Sequence, residues 1–417
     1  MNAAVTAAAP AAAPAGAPAA SGGRLWQIDA LRGLMLVLMT LTHLPTRVAS
    51  PAGQPFGFVS AAEGFVLLSG FMAGMVYAGR ERREGEAQMR SAFYRRVLKI
   101  YLCQAALLAF LFSVVAVVAV LLQQDAITGL MRYYLHEPLH ALVGSLLLIY
   151  SPPLLDILPL YVLFMLISPM VLIHGLRHGW VGIMALSVAL WLGAQFKLGI
   201  WVYEALAPAA GIRVPVVQTG AFEVLAWQFL WIMGLWMGAE RTAQRPPTVF
   251  PRWLLYTAIV YAAVCFVWRH VVGQVPIPQD AGLNMLFDKW QLAPLRLFNL
   301  FALLVLAMHY APWLATHLPR VRALETMGAA SLPVFCTHLV LALLALALFG
   351  APVATRSLWI DAGIVVVSFA VLYGVALLSQ ELDRQAAARR KARATRGVKG
   401  QKVPSAPTPR SSAALRH

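Results

Sequence analysis

Apolar residues fall in long runs for most of the chain, separated by short polar segments. A helix needs about 20 apolar residues to cross roughly 30 Å of hydrocarbon. Runs of that kind predict helices over 31–48, 56–77, 98–122, 155–173, 180–196, 222–239, 253–272, 292–310, 330–349 and 359–379. The stretch 139–150 is apolar but short, and reads as a re-entrant or interfacial piece, or as the first part of a broken helix. The expected fold is therefore an all-α polytopic membrane protein with about ten transmembrane helices.

Composition agrees. Only 12% of the 417 residues are charged, against 60% hydrophobic, and a soluble domain carries about 25% charged residues. Too little polar surface remains to cover a globule of this size, so the solvent for most of the chain is lipid. The net charge of +16 would suggest nucleic acid in a soluble protein, but its distribution argues against that partner. With alternate loops taken as cytoplasmic from the N-terminus, about three quarters of the Lys and Arg fall on the cytoplasmic side. The positive-inside rule then puts both termini in the cytoplasm. Residues 1–23 are Ala, Pro and Gly without a positive start or a Leu-rich centre, so they read as a disordered leader and not a signal peptide. Residues 24–380 form the membrane domain, and 381–417 read as a basic disordered cytoplasmic tail near anionic headgroups. Cys103, Cys265 and Cys336 lie inside apolar runs and read as small buried hydrophobes, neither disulfide nor metal ligands.

Ionisable groups at membrane depth are costly, so each is a functional candidate. The first helix carries Asp29, Arg32 and His43. Arg32 and His43 share a face roughly 16 Å apart, and Asp29 lies one turn before Arg32 and can pair with it. Glu63, about two turns into the second helix, needs a partner, and His43 and Arg47 are the nearest by depth. A carboxylate beside an imidazole orients it as a general base. Arg96 and Lys99 share a face at the cytoplasmic rim, where two cations suit a phosphate-bearing ligand. Gly70 with Gly74, and Gly234 with Gly238, form small-residue faces for close helix approach. His338 lies about two turns into the ninth helix. No nucleotide-binding, zinc-protease or serine-hydrolase motif is present.

The stretch Ile28-Asp29-Ala30-Leu31-Arg32-Gly33, followed by His43, resembles the first helix of the acyltransferase family three membrane enzymes. More closely, the chain resembles the OpgC proteins, which are thought to succinylate osmoregulated periplasmic glucans. The resemblance is carried by Phe56-Gly57-Phe58 through Ala61-Ala62-Glu63-Gly64-Phe65-Val66-Leu67-Leu68-Ser69-Gly70, then Leu158-Pro159-Leu160-Tyr161 and Ala226-Trp227-Gln228-Phe229. Pro294-Leu295-Arg296-Leu297-Phe298-Asn299 and Ser331-Leu332-Pro333-Val334-Phe335-Cys336 continue it.

The resemblance implies a ten-helix acyltransferase of the bacterial inner membrane. Acyl-CoA, succinyl-CoA in particular, would be the co-substrate, with no permanently bound cofactor, and a periplasmic glucan the acceptor. It carries over Arg32 and His43 as an essential pair and places His338 where many members have a late His. Lys99 stands where the wider superfamily has a second Arg, which keeps attraction for phosphate and loses bidentate geometry. On this reading His43 is the base, Glu63 holds its ring, and Arg32 with Asp29 steers the donor. Arg96 and Lys99 hold the CoA phosphates. Arg47, His338 and Ser69 are substrate-side candidates, Arg47 for the succinyl carboxylate. Trp201 and Tyr203 are candidate sugar-stacking residues. The alternatives are O-acetylation of another envelope polysaccharide, and a transporter or flippase without chemistry.

Overall fold

The computed structural model describes residues 25–243, 249–353 and 355–400, whose regular secondary structure is all helical, with no strand. The helices are Trp26–His43 (α1), Ala49–Ala52 (α2), Ala61–Glu84 (α3), Glu86–Phe110 (α4), Ala116–Leu121 (α5), Asp125–Leu130 (α6), Arg132–His136 (α7), Pro138–Leu146 (α8) and Ile157–His178 (α9). They continue as Val181–Gln195 (α10), Leu198–Leu206 (α11), Val224–Thr242 (α12), Arg252–Val272 (α13), Ala281–Asn284 (α14), Pro294–His317 (α15), Arg322–Ala329 (α16), Ser331–Phe349 (α17) and Leu358–Gly400 (α18). A π-helical turn, Leu111–Val115, joins α4 to α5, so Glu86–Leu121 runs as one 36-residue rod.

Among the described residues, seven helices are long and apolar enough to cross a membrane, or eight if α10 and α11 count as one span. That pair bends by 81° at a break where Lys197 takes a left-handed backbone. The expected spans 31–48 and 222–239 fold as α1 and α12, of 18 and 19 residues. Asp29, Arg32, His43 and two threonines dilute the apolar character of α1, and Gln228, Glu240 and Arg241 that of α12. The short stretch 139–150 gives the nine-residue α8 and then irregular chain. The expected disordered leader lies outside the described residues. The expected tail begins as helix instead, because α18 continues to Gly400 through an Ala-, Arg- and Lys-rich sequence of high helix propensity.

The buried and exposed faces are those of a bundle in lipid. α3 and α9 are central and bury most of their length, whereas α13, α15 and α18 are peripheral. On α13, Val260, Val264, Val267 and Val271 form one exposed stripe at the three- and four-residue spacing of a single helix face. Within the bundle, the two glycine pairs meet each other. A Cβ at Gly70 or Gly74 would strike the backbone of Trp231 or Leu235, and one at Gly234 or Gly238 would strike the backbone of Leu67 or Phe71. Backbones this close gain dispersion contact along their length, which is the main attraction between helices in a solvent as apolar as they are. α1 and α16 repeat the device with Gly33 against Leu324 and Gly328 against Asp29.

α9 contains Pro169, which removes one helix hydrogen bond. Ser168 Oγ donates to the Phe164 carbonyl at 2.7 Å and accepts from Trp231 Nε1 of α12 at 2.9 Å. Ser168, the residue before the proline, thus ties α9 to α12 through a side-chain bond held inside the bundle.

Candidate active site

His43 is the last residue of α1 because the chain next reads Leu44-Pro45. A residue before proline is pushed out of the helical region, and Leu44 is extended at φ −68° and ψ 135°. The His43 ring therefore sits at the helix mouth, where it meets His338 of α17. Its Nδ1 lies 3.1 Å from His338 Nε2, with ring centroids 5.3 Å apart and planes 16° from parallel. His338 is fully buried. Phe335, one turn earlier on α17, sets its ring edge-on to His338 at 4.8 Å and stacks on Phe65 of α3 at 5.6 Å. Phe335, backed by Phe65 of α3, thus sets aromatic carbon against His338.

Arg32, at the other end of the same face of α1, also turns to α17, and its guanidinium hydrogen-bonds Ser331 Oγ. Both members of the expected Arg32–His43 pair therefore lean on one partner helix. Asp29 is buried where α1 crosses α16.

Glu63 departs from the expected partnership. It is the third residue of α3 and folds back over its own N-terminus, where Ser60 completes a capping box. Ser60 N donates to Glu63 Oε2 at 3.0 Å. The other carboxylate oxygen forms a buried ion pair with Arg296 Nε of α15. Glu63 thus holds neither His43 nor Arg47. The reason is local: the capping geometry turns the carboxylate towards α15, which delivers a full guanidinium charge, while His43 is engaged by His338. Arg296 Nη1 reaches the Phe287 carbonyl at 3.4 Å, and Nη2 is buried with no hydrogen-bond partner among the described residues. One turn on, Asn299 Oδ1 accepts from Phe58 N at 2.8 Å. Gly57, at φ +94°, lets the chain pass so close that a Cβ there would strike Asn299.

Lys289 lies in the turn leading into α15. Its ammonium stands 4.6 Å from the Trp290 ring centroid and 5.8 Å from that of Phe222. Its charge acts on His43, Glu63, Arg296 and Asp156, and burial, reinforced by the Arg296 charge, pulls its pKa below the usual lysine value. Asp156, just ahead of α9, accepts from Ala221 N at 3.2 Å, and burial pushes its carboxyl up to about 6.

The remaining candidates sit apart from the histidine pair. Arg47 is exposed at the loop after α1. Its backbone N donates to Asp361 Oδ2 at 3.1 Å, and its guanidinium bonds the Arg356 carbonyl. Ser69 is buried, with no hydrogen bond at Oγ among the described residues. Lys99 lines a groove of about 390 Å³ along α4 with Arg95, Leu98, Leu102, Cys103 and Ala106. Arg96 does not line it, although its charge and that of Lys99 both act on Cys336. Trp201 is well exposed, and Tyr203 is tied to the Val214 carbonyl at 2.7 Å. No group of three or more His, Cys, Asp or Glu among the described residues could hold a metal ion.

Arg296, Lys289 and Asn299 are not among the site residues that the sequence singles out. The signal for Arg296 was present: it falls inside the apolar run 292–310, where a charge calls for a partner. Nothing comparable marks Lys289, whose surroundings are assembled from distant segments.

The segments quoted for the family resemblance meet in space. Phe58 and Glu63 contact Asn299 and Arg296, and Ser331 contacts Arg32. Tyr161 packs edge-on at 4.9 Å to Trp231 of α12, just past the quoted Phe229. No curated protein and no solved structure matches the chain. The family described as OpgC protein matches residues 24–384, nearly all of the membrane bundle, and the chain therefore belongs to the OpgC family.

Proposed function

We propose that the protein is an inner-membrane O-acyltransferase of the acyltransferase family three type. It moves a succinyl group from cytoplasmic acyl-CoA to a hydroxyl of a periplasmic glucan, with His43 as general base. The observation that carries this reading is the His43–His338 pair, an imidazole couple held at hydrogen-bond distance by two helices far apart in sequence. Structural packing alone does not require two polar rings to face each other at the mouth of an apolar bundle. A base with one nitrogen held and the other available does.

For His43 to accept a proton at Nε2, its Nδ1 carries hydrogen and donates to His338 Nε2. The glucan hydroxyl oxygen attacks the thioester carbonyl carbon as its proton passes to His43 Nε2. The carbon–sulfur bond breaks, and the CoA thiolate leaves and recovers that proton from the imidazolium. His338 shares the positive charge while it exists. Both termini lie in the cytoplasm on this reading, so the His43 end of the bundle faces the periplasm. Arg96 and Lys99 receive the CoA phosphates at the opposite rim, and Arg32, with Asp29, steers the donor between them. Ser69 lines the donor path. On the acceptor side, Trp290 and Phe222 offer aromatic faces close to Lys289 and replace Trp201 and Tyr203 as the sugar-stacking pair.

Mass spectrometry of periplasmic glucans from cells with and without the gene tests the reading. Loss of succinyl additions on deletion, restored by the wild type and not by His43→Ala, is expected. Full succinylation in cells carrying only the His43→Ala protein would refute the role of His43.

A further inference from the structure

Two cations near Glu63, Arg296 and Lys289, are not fully engaged by the carboxylates within their reach, Glu63 and Asp156. Glu63 offsets one cation, Arg296, through Nε, and Arg296 Nη2 remains a buried donor with no hydrogen-bond partner among the described residues. Lys289 adds a second cation that forms no ion pair within 4.0 Å among the described residues. Its recorded neighbours are the rings of Trp290 and Phe222. A half-buried ammonium against aromatic faces has lost much of its water and gained only a cation–π contact worth about 0.5–2 kcal/mol. An anion would complete this arrangement.

The turn that carries Lys289 is also built to hold it still. Trp227 Nε1 donates to the Trp290 carbonyl at 2.9 Å, and Glu223 N donates to the same oxygen at 3.0 Å. On the other flank, Gln195 Nε2 donates to the Gln291 carbonyl at 2.9 Å, and Trp191 Nε1 to the Leu292 carbonyl at 3.0 Å. Leu292, at φ +48°, is held in the left-handed region within this turn. α10 and α12 thus clamp three consecutive carbonyls directly after Lys289. Such anchoring at the edge of the site exceeds what a loop connection needs and matches what a fixed recognition group needs.

We infer that Lys289, with the free donor of Arg296, receives the terminal carboxylate of the acyl group and makes the enzyme select ω-carboxyacyl donors over neutral ones. This rests on the acyltransferase reading above. It moves the task from Arg47, which is exposed and engaged with Asp361 and Arg356, to a cation whose charge reaches His43 itself. A carboxylate so placed would dock the distal end of the acyl chain while the thioester carbon lies at the imidazole.

The test uses the purified full-length protein in lipid, with a glucan acceptor and two donors, succinyl-CoA and butyryl-CoA. These acyl chains have the same number of carbons and differ in the terminal carboxylate. Transfer rates give a succinyl-to-butyryl ratio for the wild type, Lys289→Met, Lys289→Gln and Lys289→Arg. A charge-assisted contact of this kind corresponds to about ten-fold or more in that ratio. The ratio is expected to fall by that factor in Lys289→Met and Lys289→Gln, mostly through KM for succinyl-CoA, and to be kept in Lys289→Arg. An unchanged ratio in active Lys289→Met or Lys289→Gln protein would overturn the assignment and leave the acyltransferase reading standing. Absence of transfer from either donor by the wild type would overturn the acyltransferase reading and this inference with it.

Discussion

His43 and His338, 295 residues apart in sequence, stack at 5.3 Å between ring centroids and share a 3.1 Å nitrogen–nitrogen contact. Neither ring could be held there by its own helix: α1 ends at His43, and α17 supplies the wall behind it. If the pair acts as a unit, its members are not interchangeable but are interdependent. Replacing His43 by Ala is expected to lower acyl transfer by about 10²–10⁴-fold, the usual worth of a general base. His338→Ala is expected to lose a smaller part of that. The double variant is expected to be hardly worse than His43→Ala, because groups acting together lose their effect together. Release of free thiol from acyl-CoA by purified protein measures all three, and additive losses would show that the histidines act separately.

The Glu63–Arg296 ion pair is the costliest polar feature of the bundle to break. Arg296→Met leaves a buried carboxylate without its counter-charge, and the expected loss is about 3–5 kcal/mol of stability. The double variant Glu63→Gln with Arg296→Met removes both charges and is expected to recover most of it. Thermal unfolding in detergent micelles provides the comparison. A double variant no more stable than Arg296→Met would mean that the pair acts through packing and not through charge.

The α3–α12 contact depends on four absent side chains. Gly234→Val or Gly70→Val would put a branched side chain where the facing backbone already lies. Each is expected to destabilise by about 1–3 kcal/mol, the cost of overpacking, and to lower the yield of folded protein. Val at Gly182, which has open space around it, serves as the control and is expected to change little. Equal losses at Gly182 and Gly234 would argue against close approach as the cause.

Asp156 supplies a pH dependence with a definite sign. Its folded-state pKa, raised from 3.8 to about 6 by burial, means that the folded protein holds this proton more tightly than the unfolded chain. Below about 4 both states are protonated and no penalty exists. As pH rises towards 6 the unfolded state ionises first, so stability falls across that window and then levels off. Asp156→Asn keeps an acceptor for Ala221 N and removes the titration. Its unfolding midpoint is expected to decline less than that of the wild type between pH 4 and 6, and parallel curves would exclude Asp156 as the group responsible.

Much of this protein was legible in one dimension because a membrane makes each span declare itself locally. A segment in lipid must satisfy its own backbone and face hydrocarbon, so the ten apolar runs foreshadowed the helices with few exceptions. The exceptions have local causes: the run 180–196 folds as α10 and ends at Lys197, beyond which α11 bends away by 81°, and Asp29 and Arg32 of α1 and Gln228 of α12 are polar residues buried in the bundle. The Arg32–His43 face was also readable, since helical periodicity alone puts two residues of one helix on one side. So were the two glycine pairs as sites of close approach.

Which faces would meet was another matter. Glu63 looked like a partner for His43 by depth, yet depth along a helix says nothing of direction around it, and the capping box turned the carboxylate to Arg296. His338 was a substrate-side candidate with no named partner until α17 was packed beside α1. Lys289 had no signal at all, because its aromatic neighbours, its clamped turn and its missing counter-ion come from α10, α12, α15 and the loops between them. The sequence by itself determined a helical membrane bundle and the residues too polar to sit there without a task. The tertiary structure decided their partners, since hydrogen bonds and ion pairs depend on ångström-scale geometry between segments whose separation along the chain carries no distance information.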